Sequence, residues 1–276
     1  MAEANNEHDY LVLREIQDEL LSMLKIAGPW FNEHGIRYSL SDGSLLGAVR
    51  HKGFIPWDDD LDIYMPRPDY EKWLELADEF KAATGLVVAS CRDGSYHYPY
   101  AKMLNLAIRA QEDSLIGVYE GHLWIDVFPI DGVPGDEMEY EKLVSWRWFR
   151  EKLINMALTK GSKNKCKAAL KAVMQPIFRL LVNPVKLANE IDERCKQISF
   201  ETADRVACPV YGATFKGKSI PREEFERMVM MPFGDTEQPC MSCWDEYLTK
   251  SYGDYMRLPP EEKRWHHPQK TWRIGQ

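Results

Sequence analysis

Between Leu11 and Ala27 apolar residues return every three or four positions (Val12, Ile16, Leu20, Leu24, Ala27), with Arg14, Asp18 and Glu19 between them. That period predicts an amphipathic helix, ended by Gly28-Pro29 because proline has no N–H to continue the ladder. The pattern then breaks into short apolar runs at Ile36 to Leu40, Gly43 to Val49 and Leu61 to Met65, set among turn residues, which read as strand and loop. Pro68 and Asp69 open a second predicted helix with an inward stripe of Tyr70, Trp73, Leu74, Ala77 and Phe80, closed by Gly85. Further strands are expected at Leu86 to Ala89, around Tyr100 to Leu104, and at Leu123 to Phe128. From Asp136 to about Ser199 the pattern becomes helical in three stretches, broken at Gly161 and Asn183-Pro184, with Trp146, Phe149, Leu153 and Met156 expected on one face of the first. After Ser199 short apolar runs return, punctuated by Pro232, Pro239 and Pro259-Pro260. Strand and helix alternating early, with helices later, imply an α+β fold: a mixed β-sheet with packed helices and a helical insertion. We expect one domain over residues 1–276, made of an N-terminal helix (1–35), a catalytic sheet core (36–135), a helical subdomain (136–199) and a C-terminal part that completes the site (200–276).

Composition narrows the class. A chain of 276 residues can bury a sizeable core without staples, and its 45% hydrophobic content is too high for intrinsic disorder. The formal charge of -8 argues against a nucleic-acid partner, which would need a basic stripe to neutralise phosphates. The start MAEANNEHDY has no basic and apolar leader, and the apolar run from Ala172 to Val182 is interrupted by Gln175, Pro176 and Arg179 and falls short of a bilayer span. Six cysteines are then expected as reduced thiols, and the protein as cytoplasmic.

The chemistry concentrates between Ser39 and Tyr70. Asp58, Asp59, Asp60 and Asp62 place four carboxylates within five positions. On a strand, residues two apart share a face, so Asp60 and Asp62 should converge while Leu61 and Ile63 point into the core. Converging carboxylates repel unless a cation sits between them, and hard oxygen ligands favour Mg²⁺ or Mn²⁺. A helix-loop-helix calcium site fails, because Ile63 stands where its turn needs glycine and Asp69 where it needs glutamate. Upstream, Asp42-Gly43-Ser44 with Gly47 is read as a tight turn whose backbone and hydroxyl could approach phosphate oxygens. A Gly-Ser turn followed sixteen residues after Ser44 by Asp-x-Asp resembles the DNA polymerase β-like nucleotidyltransferase fold. That fold generally takes a third carboxylate from a neighbouring strand, and Asp126, between apolar residues in WIDVF, is the candidate.

The run DGSLLGAVRHKGFIPWDDDLDI closely resembles the LicD family of phosphocholine transferases, which are similar in turn to the fukutin-related group. Two later segments, WIDVFPIDGVP from Trp124 and YGDYMRLPPEEKRWHH from Tyr252, resemble the same family in the same order. The resemblance implies transfer of a phosphoryl-linked head group, typically phosphocholine from CDP-choline, to a glycan hydroxyl, with CMP released. It implies a metal on Asp60, Asp62 and Asp126, which also serve as catalytic residues, and a donor held by Asp42, Gly43 and Ser44. Arg50, Lys52 and Lys102 would supply cationic contacts to phosphate, and Tyr252, Asp254 and Tyr255 a place for a quaternary ammonium. Alditol-phosphate or nucleotidyl transfer on the same scaffold, and an inactive binding module, are the rival readings.

Two further features are weighed against simpler accounts. Cys240-x-x-Cys243 could hold zinc with Cys208 or His266 and His267, but a second cysteine pair is missing and the thiols read better as core. From Arg147 to Lys171 eight basic residues face one acid, Glu151. This run reads as a solvated helix face, or as a contact with an anionic membrane or a lipid-linked oligosaccharide acceptor at the inner face of that membrane.

Overall fold

The computed structural model describes residues 9–112, 121–158, 174–211, 219–264 and 269–275. The first helix, α1, spans Leu13–Glu33 and buries Ile16, Leu20, Leu24 and Ala27, as the periodicity requires. It does not stop at Gly28-Pro29. An internal proline costs about 3 kcal/mol, and the extra turns offset that cost by burying Trp30 and Phe31, whose rings meet Phe80 at 5.0 and 5.7 Å between centroids.

Among the described residues the main sheet has eight strands. Its path runs β1 (Ser39–Leu40), β2 (Asp62–Pro66), β5 (His122–Gly132), β4 (Ala101–Glu112) and β10 (Gln269–Arg273), while β3 (Val87–Ala89) also pairs β4, and β6 (Arg205–Ala207) with β7 (Ile220–Pro221) extends from β5. β2 and β5 are parallel and the other pairs antiparallel, so the sheet is mixed and the α+β class holds. A separate hairpin, β8 (Met228–Phe233) with β9 (Thr236–Met241), packs beside β1, where Met241 N–H donates to Ser39 Oγ at 2.9 Å.

Gly43 to Val49, expected as turn, loop or strand, is instead helix α2 (Asp42–His51). Glycine lowers helix propensity by about 1 kcal/mol, but Gly47 is needed there because a Cβ would lie 2.4 Å from the carbonyl oxygen of Gly53. The second predicted helix is two, α3 (Arg67–Glu75) and α4 (Ala77–Thr84), with Gly85 at φ +74° ending α4 in the left-handed conformation. Tyr70, Trp73 and Phe80 form their buried face.

In the helical middle, α5 (Glu137–Leu158) and α6 (Pro184–Cys195) pack together, with residues 174–181 also helical. The inward face of α5 is a correction to the periodicity: it buries Val144, Arg147, Ile154, Ala157 and Leu158, leaving Phe149 and Met156 exposed and Trp146 and Leu153 half-buried. Hydrophobicity misplaced the face because an ion pair, Arg147 with Glu151, occupies inward positions. Two short helices, α7 (Arg222–Glu226) and α8 (Trp244–Tyr252), complete the C-terminal part.

Candidate active site

Strand register assembles the site. Asp62 of β2 stands opposite Asp126 of β5, and Asp126 stands opposite Lys102 of β4, so three charged residues form a row across three adjacent strands. Ile63 of β2 and Leu61, which with Asp60 lies just before the strand, are wholly buried, the alternation that a strand with one solvated face produces. The approach to β2 is pinned twice. Asp62 N–H donates to Ser44 Oγ at 2.9 Å, and Gln17 reaches from α1 with its Nε2 donating to the carbonyls of Asp58 and Ile55 at 2.8 and 3.2 Å. The sequence reading missed Gln17; its one signal is an amide on the inward stripe of an amphipathic helix.

The electrostatics are those of crowded acids. Burial pushes the Asp62 carboxyl well above the usual carboxylate range, and Asp60, Asp126, Asp42 and Asp58 add to the rise. Lys102 partly offsets this, with Nζ 3.6 Å from Asp126 Oδ1. The same ammonium lies 3.6 Å from the centroid of the Trp124 ring and 5.3 Å from that of Tyr96, a cation–π arrangement. Trp124 Nε1–H donates to Asp126 Oδ2 at 3.0 Å, which holds the carboxylate from its other side.

Asp60, Asp62, Lys102 and Asp126 share one cleft of 280 Å³. Asp42, Gly43 and Ser44 stand behind it at the start of α2. The Asp42 carboxylate accepts hydrogen bonds from the hydroxyls of Tyr64 and Tyr247, each at 2.8 Å, and its backbone is left-handed at φ +41°. Both Asp42 oxygens are therefore engaged within the protein. A side chain at Gly43 would meet Asp58 Oδ2 at 2.8 Å, so glycine permits the acidic loop to approach the helix N-terminus. The Tyr252 hydroxyl is raised by burial and by Asp42, Asp62, Asp58 and Asp60, which places it in the field of the acids.

Of the expected substrate contacts Lys102 lines the cleft, whereas Arg50, Lys52, Tyr252, Asp254 and Tyr255 do not. Arg50 donates through Nη1 to the Tyr255 carbonyl at 2.6 Å and through Nε to His51 Nε2 at 2.9 Å. Lys52 is exposed, and its carbonyl accepts from the Gly234 N–H of the hairpin at 2.9 Å. Asp254 is exposed, while the Tyr255 hydroxyl donates to Asp245.

The remaining walls come from residues the sequence reading did not select: Tyr96, Tyr98, Tyr100, Trp124, Phe128 and Tyr211, with Glu151 and Asn155 from α5. Two signals pointed to them. Tyr96, Tyr98 and Tyr100 alternate on the approach to Lys102, and Glu151 is the lone acid in a basic run. Arg147, counted in that run as a surface charge, is instead buried against Glu151, and Arg150 pairs with Glu190 at 3.5 Å. Lys152 is exposed; the basic residues from Lys160 to Lys171 lie outside the described residues. Cys240 and Cys243 are buried in the core, His266 and His267 lie outside the described residues, and no three His, Cys, Asp or Glu side chains among those described form a ready-made metal cluster.

A family model described as LicD/FKTN/FKRP, nucleotidyltransferase domain, matches residues 35–155, the span that contains all three acids and Lys102. The lipopolysaccharide cholinephosphotransferase LicD of Haemophilus influenzae is 29% identical over 268 residues, covering 95% of this chain and 98% of that protein. The ribitol 5-phosphate transferase FKRP of human and of mouse is 45% identical over 51 residues, 18% of this chain and 9% of FKRP. The strand row that carries the acids thus lies within the stretch that matches the LicD/FKTN/FKRP nucleotidyltransferase domain, and the chain is similar along nearly its whole length to a LicD protein.

Proposed function

We propose that this protein is a metal-dependent phosphotransferase that moves phosphocholine from CDP-choline to a hydroxyl of a glycan. The observation that carries the reading is the in-register row Asp62, Asp126 and Lys102 inside a LicD-type domain, together with similarity to a cholinephosphotransferase along nearly the whole chain. In the reaction, the acceptor oxygen forms a bond to the head-group phosphorus. The phosphoanhydride bond to CMP breaks, and its bridging oxygen leaves with CMP. Asp126 accepts or orients the acceptor proton, and Lys102 offsets phosphate charge from the adjacent strand.

The donor set fits a hard divalent cation in kind, Mg²⁺ or Mn²⁺: all three candidates are carboxylates, and the half-buried Asp62 stands among like charges whose repulsion a cation would relieve. Asp60, Asp62 and Asp126 would hold it, and when bound it would neutralise charge on the donor phosphates. Within the chain, residues 36–135 act as the catalytic sheet, 136–199 as a helical subdomain that adds Glu151 and Asn155, and 200–276 as the part that completes the site.

No described helix is long and apolar enough to cross a membrane. Cytoplasmic action on a glycan or lipid-linked acceptor, with residues 147–171 touching an anionic membrane, accords with the exposed Lys152, Trp148 and Phe149 on α5. The deciding experiment is calorimetry of CDP-choline, CDP-glycerol, CDP-ribitol and CTP, each with and without Mg²⁺, alongside a CMP-release assay. Metal-dependent binding and turnover of CDP-choline are expected. Preference for CDP-ribitol would move the assignment to alditol-phosphate transfer, and binding of CTP alone would make the protein a nucleotidyl transferase.

A further inference from the structure

The cleft has a part that the strand acids do not account for. The rings of Tyr100, Phe128 and Tyr211 cluster there, with centroids 4.6 Å apart for Tyr100 and Phe128, 4.6 Å for Phe128 and Tyr211, and 5.3 Å for Tyr100 and Tyr211. Tyr98 stacks on Tyr100 at 5.9 Å. The hydroxyls of this wall are largely turned to one another: Tyr98 donates to Asn155 at 2.6 Å and Tyr96 to Tyr100 at 3.2 Å. Beside the polar groups of the cleft, the wall thus offers a ligand ring surface, with Tyr211 the most exposed of its rings. Glu151 enters the same cleft from α5, held in place by the buried Arg147, and it acts on the Tyr211 hydroxyl together with Asp62 and Asp126. Tyr211 thus lies in the field of both the strand acids and Glu151.

Resting on the phosphocholine reading above, we infer that Tyr98, Tyr100, Phe128, Tyr211 and Glu151 form the head-group subsite, an aromatic box with one carboxylate that selects a quaternary ammonium over a polyol. A trimethylammonium group has no hydrogen-bond donor, so ring faces and a nearby negative charge are the contacts open to it. A polyol needs several unengaged polar partners, and the Tyr96 and Tyr98 hydroxyls of this wall already donate within the protein. The neighbouring Trp124 and Tyr96 already show the same physics, since they hold the Lys102 ammonium at 3.6 and 5.3 Å. Size agrees as well: 280 Å³ lies just below the ~300–1,000 Å³ of pockets that take drug-sized ligands, so it suits a head group with its phosphate and leaves the nucleotide to extend outward. This relocates the ammonium contact from Tyr252, Asp254 and Tyr255 to side chains of β5, α5 and the tyrosine-rich approach to β4.

The test measures affinity of the full-length protein for CDP-choline, CDP-glycerol and CMP with Mg²⁺ present, in the wild type and in Glu151→Gln and Tyr211→Leu. The first change is nearly isosteric, and the second is at a side chain 45% exposed, so at least one variant should fold as the wild type does. Each variant should bind CDP-choline about tenfold more weakly, with CDP-glycerol and CMP changed less than about twofold. A wild type that prefers CDP-choline, with variants that keep that preference, overturns the subsite and leaves the proposed function standing. A wild type that binds CDP-choline and CDP-glycerol equally overturns the choline reading itself. Equal weakening of all three ligands in both variants also overturns the subsite, because it would show general damage to the cleft.

Discussion

Acids stand near both ends of the parallel strand pair β2 and β5, wholly buried at one end and half-buried at the other, and the two ends treat them in opposite ways. Just beyond the end of β2, Arg67 meets Asp131 of β5 with Nε and Nη2 donating at 2.6 and 2.7 Å, and its Nη1 donates to Asp192 of α6 at 2.7 Å. Arg92 adds a hydrogen bond to Asp192 at 2.8 Å and contacts Glu71. Every acid there has an arginine in good geometry, although Asp131 and Asp192 are almost wholly buried. A few residues back along the same strands, Asp62 faces Asp126 with Asp60 beside them, and Lys102 is the basic side chain in the wall. The fold can neutralise buried carboxylates and does so where the sheet must be tied to its helices. Crowded acids at the other end are therefore a local sacrifice of stability, of the kind functional sites make.

Breaking each end should separate the two roles. Asp62→Asn should lower CMP release by at least about 10³-fold, or ~4 kcal/mol, while the urea midpoint stays the same or rises, because one repelling carboxylate is gone. At the matched end, Asp131→Asn should cost about 3 kcal/mol or more of stability by leaving Arg67 underpaired in the core, measured as a fall in the urea midpoint. Any protein that remains folded below that midpoint should keep most of its turnover. If Asp62→Asn unfolds the chain, or Asp131→Asn inactivates protein that is still folded, the division of labour is wrong.

The functional end was the more legible in the sequence. Leu61 and Ile63, alternating with Asp60 and Asp62, announced a half-buried strand, which begins at Asp62 with Asp60 just before it, and the pattern around Asp126 announced its neighbour. Local periodicity suffices for such features. Arg67, Asp131 and Asp192 lie 64 and 61 residues apart in turn, and nothing local in the sequence says that they meet. The helix at Asp42–His51 was hidden by Gly43 and Gly47, whose spacing imitates a phosphate turn while serving close contacts with Asp58 and Gly53. Tyr211 and Glu151 escaped for the same reason as the ion network: the residues they share the cleft with come from other elements.

A smaller effect probes the wall between the two ends. His97 is buried beside the cleft, and its Nε2 has no hydrogen-bond partner among the described residues. Burial and then the charge of Lys102 lower its pKa from 6.5 to about 4. Between those values the unfolded chain binds a proton that the native protein refuses, so stability is fully present above pH 6.5 and declines as the pH falls towards 4. From pH 7 to pH 5 this histidine should remove about 2 kcal/mol. Urea unfolding of the wild type and His97→Asn at both values isolates the term, and equal pH dependence in the two proteins would show that the wall tolerates a charge there.

The smallest change touches the functional end without removing an acid. Ser44 Oγ accepts the Asp62 N–H at 2.9 Å and is buried, so Ser44→Ala leaves that donor unsatisfied at the first residue of β2. The expected stability loss is about 1 kcal/mol, well under that of Asp131→Asn. Turnover should suffer more than stability, because the lost hydrogen bond fixes the backbone that aims the Asp62 carboxylate, and a displacement near 1 Å can cost about 10²-fold. Ser44→Thr retains the hydroxyl and should restore more turnover than Ser44→Ala wherever the extra methyl is accommodated. The informative quantity is the ratio of the two losses in Ser44→Ala. A loss in CMP release no larger than the stability change accounts for would place Ser44 with the structural end of the strands, whereas a much larger one assigns it to holding the acid row in register.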